Sequence, residues 1–218
     1  MDLSPLLISL KTASASIFVT FFLGIFVANI VANIKSRSLK MILDGILTLP
    51  LVLPPTVAGF FLLYIFGVYS PIGKFLLDFF TVRIAFSWSA TVLASFVISF
   101  PLMYRSARGA IEQIDPDITN AARTLGMKER QIFWKISLPT AINGIASGAV
   151  LSFARGLGEF GATAMIAGNI AGHTRTLPMA IYSEVAAGNM DIAGRYVLVI
   201  VLFSFIVVAA MNYFTDKK

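Results

Sequence analysis

Two ionisable residues, Arg155 and Glu159, interrupt a long uncharged part of a very hydrophobic chain. They stand four residues apart, so on a helix their opposite charges can pair and neutralise each other within a membrane. Gly156, Gly158 and Gly161 lie among them, which favours a break in the helix beside a polar cavity. The sequence therefore predicts an ion pair at a helix break, acting either as a gate or as a static buried pair.

Enzymatic chemistry has few candidates elsewhere in the chain. There is no cysteine, which excludes disulfides, thiolate metal sites and cysteine nucleophiles together. The single histidine, His173, cannot build a multi-histidine metal site. A membrane enzyme needs a nucleophile, a metal cluster or convergent carboxylates within its spans, and the sequence offers only Arg155 and Glu159. We expect a protein with no catalytic residues, no metal site and no bound cofactor of its own.

A second polar stretch lies at about residues 105–138. Asp115 can cap a helix over residues 116–125 that begins with a proline, and Gly126 stands where a left-handed residue would end it. A second short helix should follow over about residues 128–136. Apolar residues recur at spacings of three and four, which predicts one apolar face for docking a partner: Ile111, Ile114, Ile118, Ala122 and Leu125.

Two short helices joined by a glycine turn are also the outline of a DNA-binding helix-turn-helix. Residues 105–138 contain six basic and four acidic side chains. This balance is too mixed for a phosphate-binding face. The stretch also lies between hydrophobic segments, so we favour a protein-docking surface, with an ordinary amphipathic surface helix as the remaining alternative.

Composition identifies an integral membrane protein, since 57% of the 218 residues are hydrophobic and only 13% are charged. The size suggests one domain over residues 1–218. The second of five predicted spans contains Pro50, Pro54 and Pro55 and should be kinked or broken. Such a break survives only against protein or a water-filled cavity, so residues 49–59 should face the inside of the bundle, with a purely structural kink as the alternative. The predicted spans lie in residues 12–34, 45–73, 84–104, 136–154 and 196–215.

The distribution of lysine and arginine predicts the orientation. Eleven of the 17 basic residues follow the first span, lie in residues 105–138 or end the chain. By the positive-inside rule these segments are cytoplasmic, so the N-terminus lies outside and the C-terminus inside. No cleaved signal peptide is expected, because no small-residue cleavage pattern precedes the first apolar run. Residues 168–195 should be external, although a short helix over 177–187 leaves room for a sixth half-span.

Part of the polar stretch resembles the cytoplasmic loop of the membrane-spanning permease subunits of ABC importers. That loop carries Glu-Ala-Ala, three residues, Gly, nine residues, Ile, one residue and Leu-Pro, and this chain matches every position except the first. Asn120 replaces the acid, which removes any salt bridge that the glutamate would make to a partner. The resemblance implies that coupling to an ATPase rests on Asn120, Ala121, Ala122, Arg123, Leu125, Gly126, Ile136, Leu138 and Pro139.

Two further stretches, residues 49–59 (LPLVLPPTVAG) and 153–163 (FARGLGEFGAT), together with the motifs GN and TRTLP within residues 168–178, are similar to permeases of molybdate importers. Sulfate and tungstate permeases share much of this pattern. The resemblance implies an all-α membrane fold of the type I ABC importer class, with five or six transmembrane helices. It also implies a homodimer that works with two cytoplasmic ATPase subunits, which bind ATP and Mg, and receives an oxyanion from an external binding protein.

A pathway for a dianion requires neutral hydrogen-bond donors, because a bare fixed cation would hold the ion too tightly for release. Thr56, Thr163 and Ser152 are the candidate donors. The candidate gate and pathway residues are Pro54, Pro55, Thr56, Arg155, Gly158, Glu159 and Thr163.

Two other functions remain open at this point. A sulfate-type permease shares the motifs, and a secondary transporter without an ATPase partner also uses broken helices around a central site. Secondary transporters usually contain internal repeats and more spans, and no repeat is visible here. Copurification of an ATPase would distinguish the two transporter classes.

Overall fold

The computed structural model describes the backbone of residues 2–215 and the side chains up to residue 209. All regular structure in this range is helical, as the sequence predicts. A π turn over Phe133–Ser137 joins α7 to α8. The helices are α1 Ser4–Ala32, α2 Arg37–Val52, α3 Pro55–Phe66, α4 Pro71–Phe80, α5 Trp88–Glu112, α6 Pro116–Thr124, α7 Glu129–Ile132, α8 Leu138–Thr140, α9 Ile142–Leu157, α10 Gly161–Ile166, α11 Leu177–Ala186 and α12 Met190–Thr215.

Three helices, α1, α5 and α12, are long and apolar enough to cross a bilayer by themselves. Two pairs of consecutive helices, each bent at the break between its members, raise the number of candidate spans to five if each pair counts as one span. The axes of α2 and α3 meet at 110°, and Glu129–Thr140 meets α9 at 72°. The first bend falls at Leu53 and Pro54, between helices that each satisfy their own backbone hydrogen bonds. The predicted break in the second span is therefore confirmed.

Several predicted boundaries are wrong, because hydropathy marks the hydrocarbon core whereas helices continue beyond it. The first span begins eight residues before the predicted start at Thr12. Its extension carries Lys11, whose ammonium lies 4.4 Å from the ring centroid of Trp88. At the other end of the chain, Asp216, Lys217 and Lys218, predicted to be cytoplasmic, lie outside the described residues.

The segment between the second and third predicted spans is not an open loop, because it contains most of α4. Local signals explain the helix: the Ser70 hydroxyl accepts a hydrogen bond of 2.8 Å from the Gly73 amide, and Pro71 occupies the first helical position. Such a serine cap and a proline at the first position both favour a helix start. Lys74 and Asp78 lower the mean hydropathy of this segment, which is why it resembles a loop in the sequence.

The centre of the molecule is formed by α1, α5 and α9, with α5 packed between the other two. Small residues allow the helix backbones to approach closely. A Cβ atom at Gly148 would lie 2.5 Å from the Ser106 Cβ, and one at Gly144 would lie 2.6 Å from the Ala110 Cβ. Side chains larger than hydrogen would therefore push α9 away from α5.

Buried hydroxyl groups also join the central helices. Thr12 and Thr91 lie 2.9 Å apart, and the Trp88 indole donates to the Thr12 hydroxyl at 3.1 Å. The Leu177 amide at the start of α11 donates to the Ser9 hydroxyl at 2.7 Å. In an apolar medium these bonds satisfy groups that would otherwise remain unpaired. They fix α1 against both α5 and α11.

Candidate functional site

The first helix of the polar stretch, α6, has the caps that the sequence predicts. The Asp115 carboxylate accepts a hydrogen bond of 2.9 Å from the Asp117 amide, and Pro116 is the first helical residue. Gly126 follows the helix with a φ of +79°. Glycine adopts this left-handed conformation at little cost, whereas most other residues are strained there. Gly126 therefore sets the direction in which the chain leaves α6.

The second predicted helix is confirmed in outline but continues past Ile136. It starts at Glu129, passes through a π turn over Phe133–Ser137 and ends as α8 at Thr140. Pro139 directly follows the π turn, as the second residue of α8. The fourth membrane helix consequently begins at Ile142 rather than at Ile136, beyond the 72° bend.

The prediction of one continuous apolar face on this stretch is wrong. Ile111 and Ile114 are buried, but they belong to the end of α5 and to the turn after it. The turn that ends at the Asp115 cap breaks the helical phase of the five apolar residues. Within α6 and its cap, Ala122 faces inward at 4% exposure, whereas Ile118 and Leu125 are 49% and 83% exposed. Two apolar side chains, two helical turns apart, therefore point away from the protein.

Arg123 connects the two helices of the polar stretch. Its Nε donates to Glu129 Oε1 at 2.6 Å, its Nη2 donates to Glu129 Oε2 at 3.2 Å, and its Nη1 donates to Asn120 Oδ1 at 2.8 Å. The hydrogen bond from Arg123 lowers the pKa of the Glu129 carboxyl group. All three side chains are exposed, so the arrangement sets the angle between the helices more than it adds stability. Asn120 is occupied within its own chain.

The helix α6 stands apart from the membrane-embedded helices. It packs mainly against α7. A cavity of about 940 Å³ separates the polar stretch from the end of α1, with Asn29, Lys35, Ile114 and Phe133 among its lining residues. The helix is therefore held through its connections to α5 and α7 rather than through a packed face.

The two sequence stretches that surround the helix breaks meet in the structure. The helix α10 packs mainly against α3. A Cβ atom at Gly59 would lie 2.6 Å from the Ala162 Cα, and one at Gly161 would lie 3.0 Å from the Pro55 Cβ. The break at Pro54 and the break before Gly161 are thus in direct contact through residues that have almost no side chain.

The predicted ion pair between Arg155 and Glu159 is confirmed. The Arg155 Nη1 lies 2.8 Å from Glu159 Oε2, while Glu159 Oε1 accepts a hydrogen bond of 2.8 Å from the Ala162 amide. The Glu159 side chain is 1% exposed and that of Arg155 is 34% exposed. Glu159 therefore joins the end of α9 to the first turn of α10, and the carboxylate satisfies one amide that the helix break sets free.

The other candidate pathway residues do not form one common lining in the protomer. Pro54, Thr56 and Gly158 are exposed, whereas Thr163 is buried. Ser152, also 1% exposed, has a hydroxyl with no hydrogen-bond partner among the described residues. Thr56 is consequently the candidate donor that an ion outside the protomer can reach.

Sequence reasoning missed a cluster of charges between α2 and α5. Lys40 and Asp44 on α2 face three residues of α5, and the links include an ion pair of 2.6 Å from Lys40 to Glu112. The available signal was Asp44, a lone acid inside an apolar helix, four residues after Lys40. Ionisable residues at such positions are usually paired. The members on α5 are Tyr104, Arg108 and Glu112.

Comparison with known proteins identifies the family of this chain. Residues 20–217 match the family described as binding-protein-dependent transport system inner membrane component. The chain belongs to this family. It is therefore a membrane-embedded transport subunit, and the predicted resemblance to ABC importer permeases is confirmed.

Individual relatives extend over most of the chain. The molybdenum transport system permease protein ModB of Haemophilus influenzae is 41% identical over 207 residues, which cover 94% of this chain and 90% of that protein. ModB of Escherichia coli K12 is 46% identical over 177 residues, with 81% and 77% coverage.

Solved structures show the same fold at low sequence identity. The MetNI methionine ABC transporter superposes with a TM-score of 0.73 at 18% identity, covering 97% of this chain and 93% of that one. A bacterial alginate ABC transporter in complex with a pentasaccharide-bound periplasmic protein superposes with a TM-score of 0.74 at 16% identity, covering 99% and 78%. These matches confirm the fold class of ABC importer permeases.

Replacing Gly126 with valine should uncouple this permease without impairing its insertion. No described atom lies within 4 Å of a Cβ at this position, so the effect comes from the φ of +79° alone. A β-branched residue is strongly disfavoured there, at a cost of about 1–3 kcal/mol, and the second helix would be mis-aimed. Gly126→Asn is the matched control, because asparagine tolerates this conformation. Uptake assays should show loss for valine and retention for asparagine; full uptake with valine would refute the docking role.

Removing one member of the Arg155 and Glu159 pair should impair assembly more than removing both. Breaking a fully buried pair typically costs about 3–5 kcal/mol, and the partial exposure of Arg155 reduces this. Glu159→Gln and Arg155→Gln should each lower the yield of assembled transporter, whereas the double variant should recover much of it. If the double variant also recovers uptake, the pair is structural; if uptake stays low, the pair acts as a gate. Strictly additive losses in yield would show that the side chains do not interact.

Proposed function

We propose that the protein is the membrane-spanning subunit of an ATP-driven importer and forms, as one transmembrane domain over residues 1–218, the pathway for molybdate. Tungstate is the chemically closest alternative cargo. The observation that carries the proposal is the 41% identity to a molybdenum permease over 94% of the chain. ATP hydrolysis belongs to a separate partner subunit, and this chain binds neither ATP nor Mg.

The charge of the helix break is compatible with a dianionic cargo. Arg155 is the basic residue at the break, and Glu159 neutralises it at 2.8 Å. A paired guanidinium presents no net fixed charge, so it would not retain a dianion as a bare cation would. Thr56, an exposed residue, provides a neutral donor at the neighbouring break after Pro54. The pathway residues are therefore proposed as Pro54, Pro55, Thr56, Arg155, Gly158, Glu159 and Thr163.

The partners follow from the surfaces that the protomer leaves uncovered. The exposed Ile118 and Leu125 on α6 offer an apolar pair for a cytoplasmic ATPase. The helix α2 buries none of its side chains, which fits a second copy of the chain packed against it. We assign the coupling residues to Asn120, Ala121, Ala122, Arg123, Leu125, Gly126, Ile136, Leu138 and Pro139. Two ATPase subunits, a homodimer of this chain and an external binding protein complete the assembly.

The proposed orientation places the N-terminus outside and the C-terminus in the cytoplasm. It rests on the basic residues that cluster beside residues 35–40 and 105–138. Cysteines introduced at Ser38 and Thr215 should react with a membrane-impermeant reagent only from the cytoplasm, and a cysteine at Gly172 only from outside. Labelling of the Gly172 position from the cytoplasm would overturn this topology.

Transport function is tested on the complex purified from the native membrane and placed in nanodiscs. An ATPase should copurify, and its activity should rise when the cognate binding protein is added with molybdate or tungstate, but not with sulfate. Stimulation by sulfate alone would identify a sulfate permease. Uptake without a copurifying ATPase would identify a secondary transporter instead.

A further inference from the structure

Four charged side chains and one tyrosine connect α2 to α5. Lys40 lies 2.6 Å from Glu112, and Asp44 pairs with Arg108. Arg108 also donates to Glu112 at 2.9 Å. The Tyr104 hydroxyl donates to Asp44 at 3.1 Å and accepts from Arg108 at 3.1 Å. We call these five residues the α2–α5 cluster. Two positive and two negative charges balance, so the cluster is neutral as a whole.

This cluster attaches α2 to its own protomer through polar contacts. None of the side chains of α2 is buried, and its packing is mainly against α5. Lys40 adds a link to α1, since its ammonium donates to the Ala32 carbonyl at 3.3 Å. The partly buried Leu43 and Leu47 of α2 also pack against the apolar core formed by α1 and α5. The position of α2 therefore depends on charges and hydrogen bonds together with this partly buried apolar contact.

At one end, the cluster is connected to α6. Glu112 is the last residue of α5, and Asp115, three residues later, caps α6. A cavity lies behind the polar stretch, and α6 packs mainly on α7. A displacement of α6 is therefore transmitted to the membrane helices through the two ends of α6. The C-terminal end of α5, which carries Arg108 and Glu112, is one of these two routes.

At the other end, the cluster is connected to the helix break. The helix that holds Lys40 and Asp44 ends at Val52, immediately before the 110° bend into α3. The helix α3 in turn packs against α10 at Gly59 and Ala162. A shift of α2 relative to α5 would therefore move the break that the candidate pathway residues occupy.

We propose that the α2–α5 cluster transmits movement of α6 to the broken span α2–α3, with Lys40, Asp44, Arg108 and Glu112 as positioning residues for transport. This inference rests on the proposed function as an ATP-driven importer. The exposure of the side chains suits the role: Arg108 is 18% exposed and Asp44 is 37% exposed. Water can reach such pairs, so they can break and re-form, unlike the buried carboxylate of Glu159.

The test uses the whole complex in nanodiscs with its ATPase and the molybdate-loaded binding protein. The coupling ratio, defined as stimulated over basal ATPase activity, is measured together with molybdate transported per ATP in proteoliposomes. Asp44→Asn and Arg108→Gln should each lower the coupling ratio by about 2- to 30-fold, the range expected for residues on a coupling route. Tyr104→Phe, which removes one bridge, should give a smaller loss.

Arg37→Gln is the matched control. Arg37 lies one turn before Lys40 on the same helix, is exposed, and has no ion pair or side-chain hydrogen bond in the described part of the chain. Lys40→Gln makes the same change of charge inside the cluster. Lys40→Gln should lower the coupling ratio, and Arg37→Gln should leave it at the wild-type value. Equal effects of the two would overturn the proposal.

The double variant Asp44→Asn with Arg108→Gln separates transmission from simple stability. It leaves neither partner of that pair stranded, so the yield of the complex should recover relative to the single variants while the coupling ratio stays low. Recovery of both quantities would show that the cluster is only structural. Absence of molybdate stimulation in the wild type would instead refute the proposed function, and that outcome is distinct because it needs no variant.

Discussion

Backbone groups at membrane depth cannot pair with lipid, and each interruption of a helix must therefore be buried in protein or line a water-filled cavity. Two interruptions lie beside the candidate pathway residues, at Leu53 and Pro54 and between α9 and α10. They touch each other through α3 and α10, while Pro54 and Gly158 remain exposed in the protomer. Gly59 and Gly161 allow α3 and α10 to approach closely: a methyl group at Gly59 would clash with the backbone of Ala162, and one at Gly161 would crowd Pro55. The contact between the two helix breaks of the permease therefore depends on glycine at these two positions.

The charges inside the protein follow the same constraint in two different ways. Glu159 is almost fully buried, and both of its oxygens are used, one by Arg155 and one by the Ala162 amide. Such a carboxylate fixes the geometry, because losing a partner leaves a stranded charge. In the α2–α5 cluster, by contrast, Asp44 and Glu112 remain 37% and 34% exposed. The buried pair suits the fixed break between α9 and α10, and the partly exposed cluster suits the movement that we propose for α2.

The polar stretch over residues 105–138 shows why local signals predict local structure well. A capping aspartate, a proline at the first position and a glycine after the last turn act within a few residues, and each has its predicted role in α6. The apolar pattern failed there because it was extended across the turn before Asp115. Periodicity holds only while the helix is continuous, and Ile111 and Ile114 lie on the other side of that turn.

The sequence by itself determined the membrane class, the positions of both helix breaks, the caps of α6 and the pairing of Arg155 with Glu159, because all of these depend on composition or on residues within one helical turn. It also carried the motifs of the permease family. The tertiary structure alone decided that the two breaks touch, that Ala122 turns inward while Leu125 turns outward, and that Asp44 meets Arg108. These contacts join residues far apart in the chain. Their partners are set by how whole helices pack, and no local pattern encodes that packing.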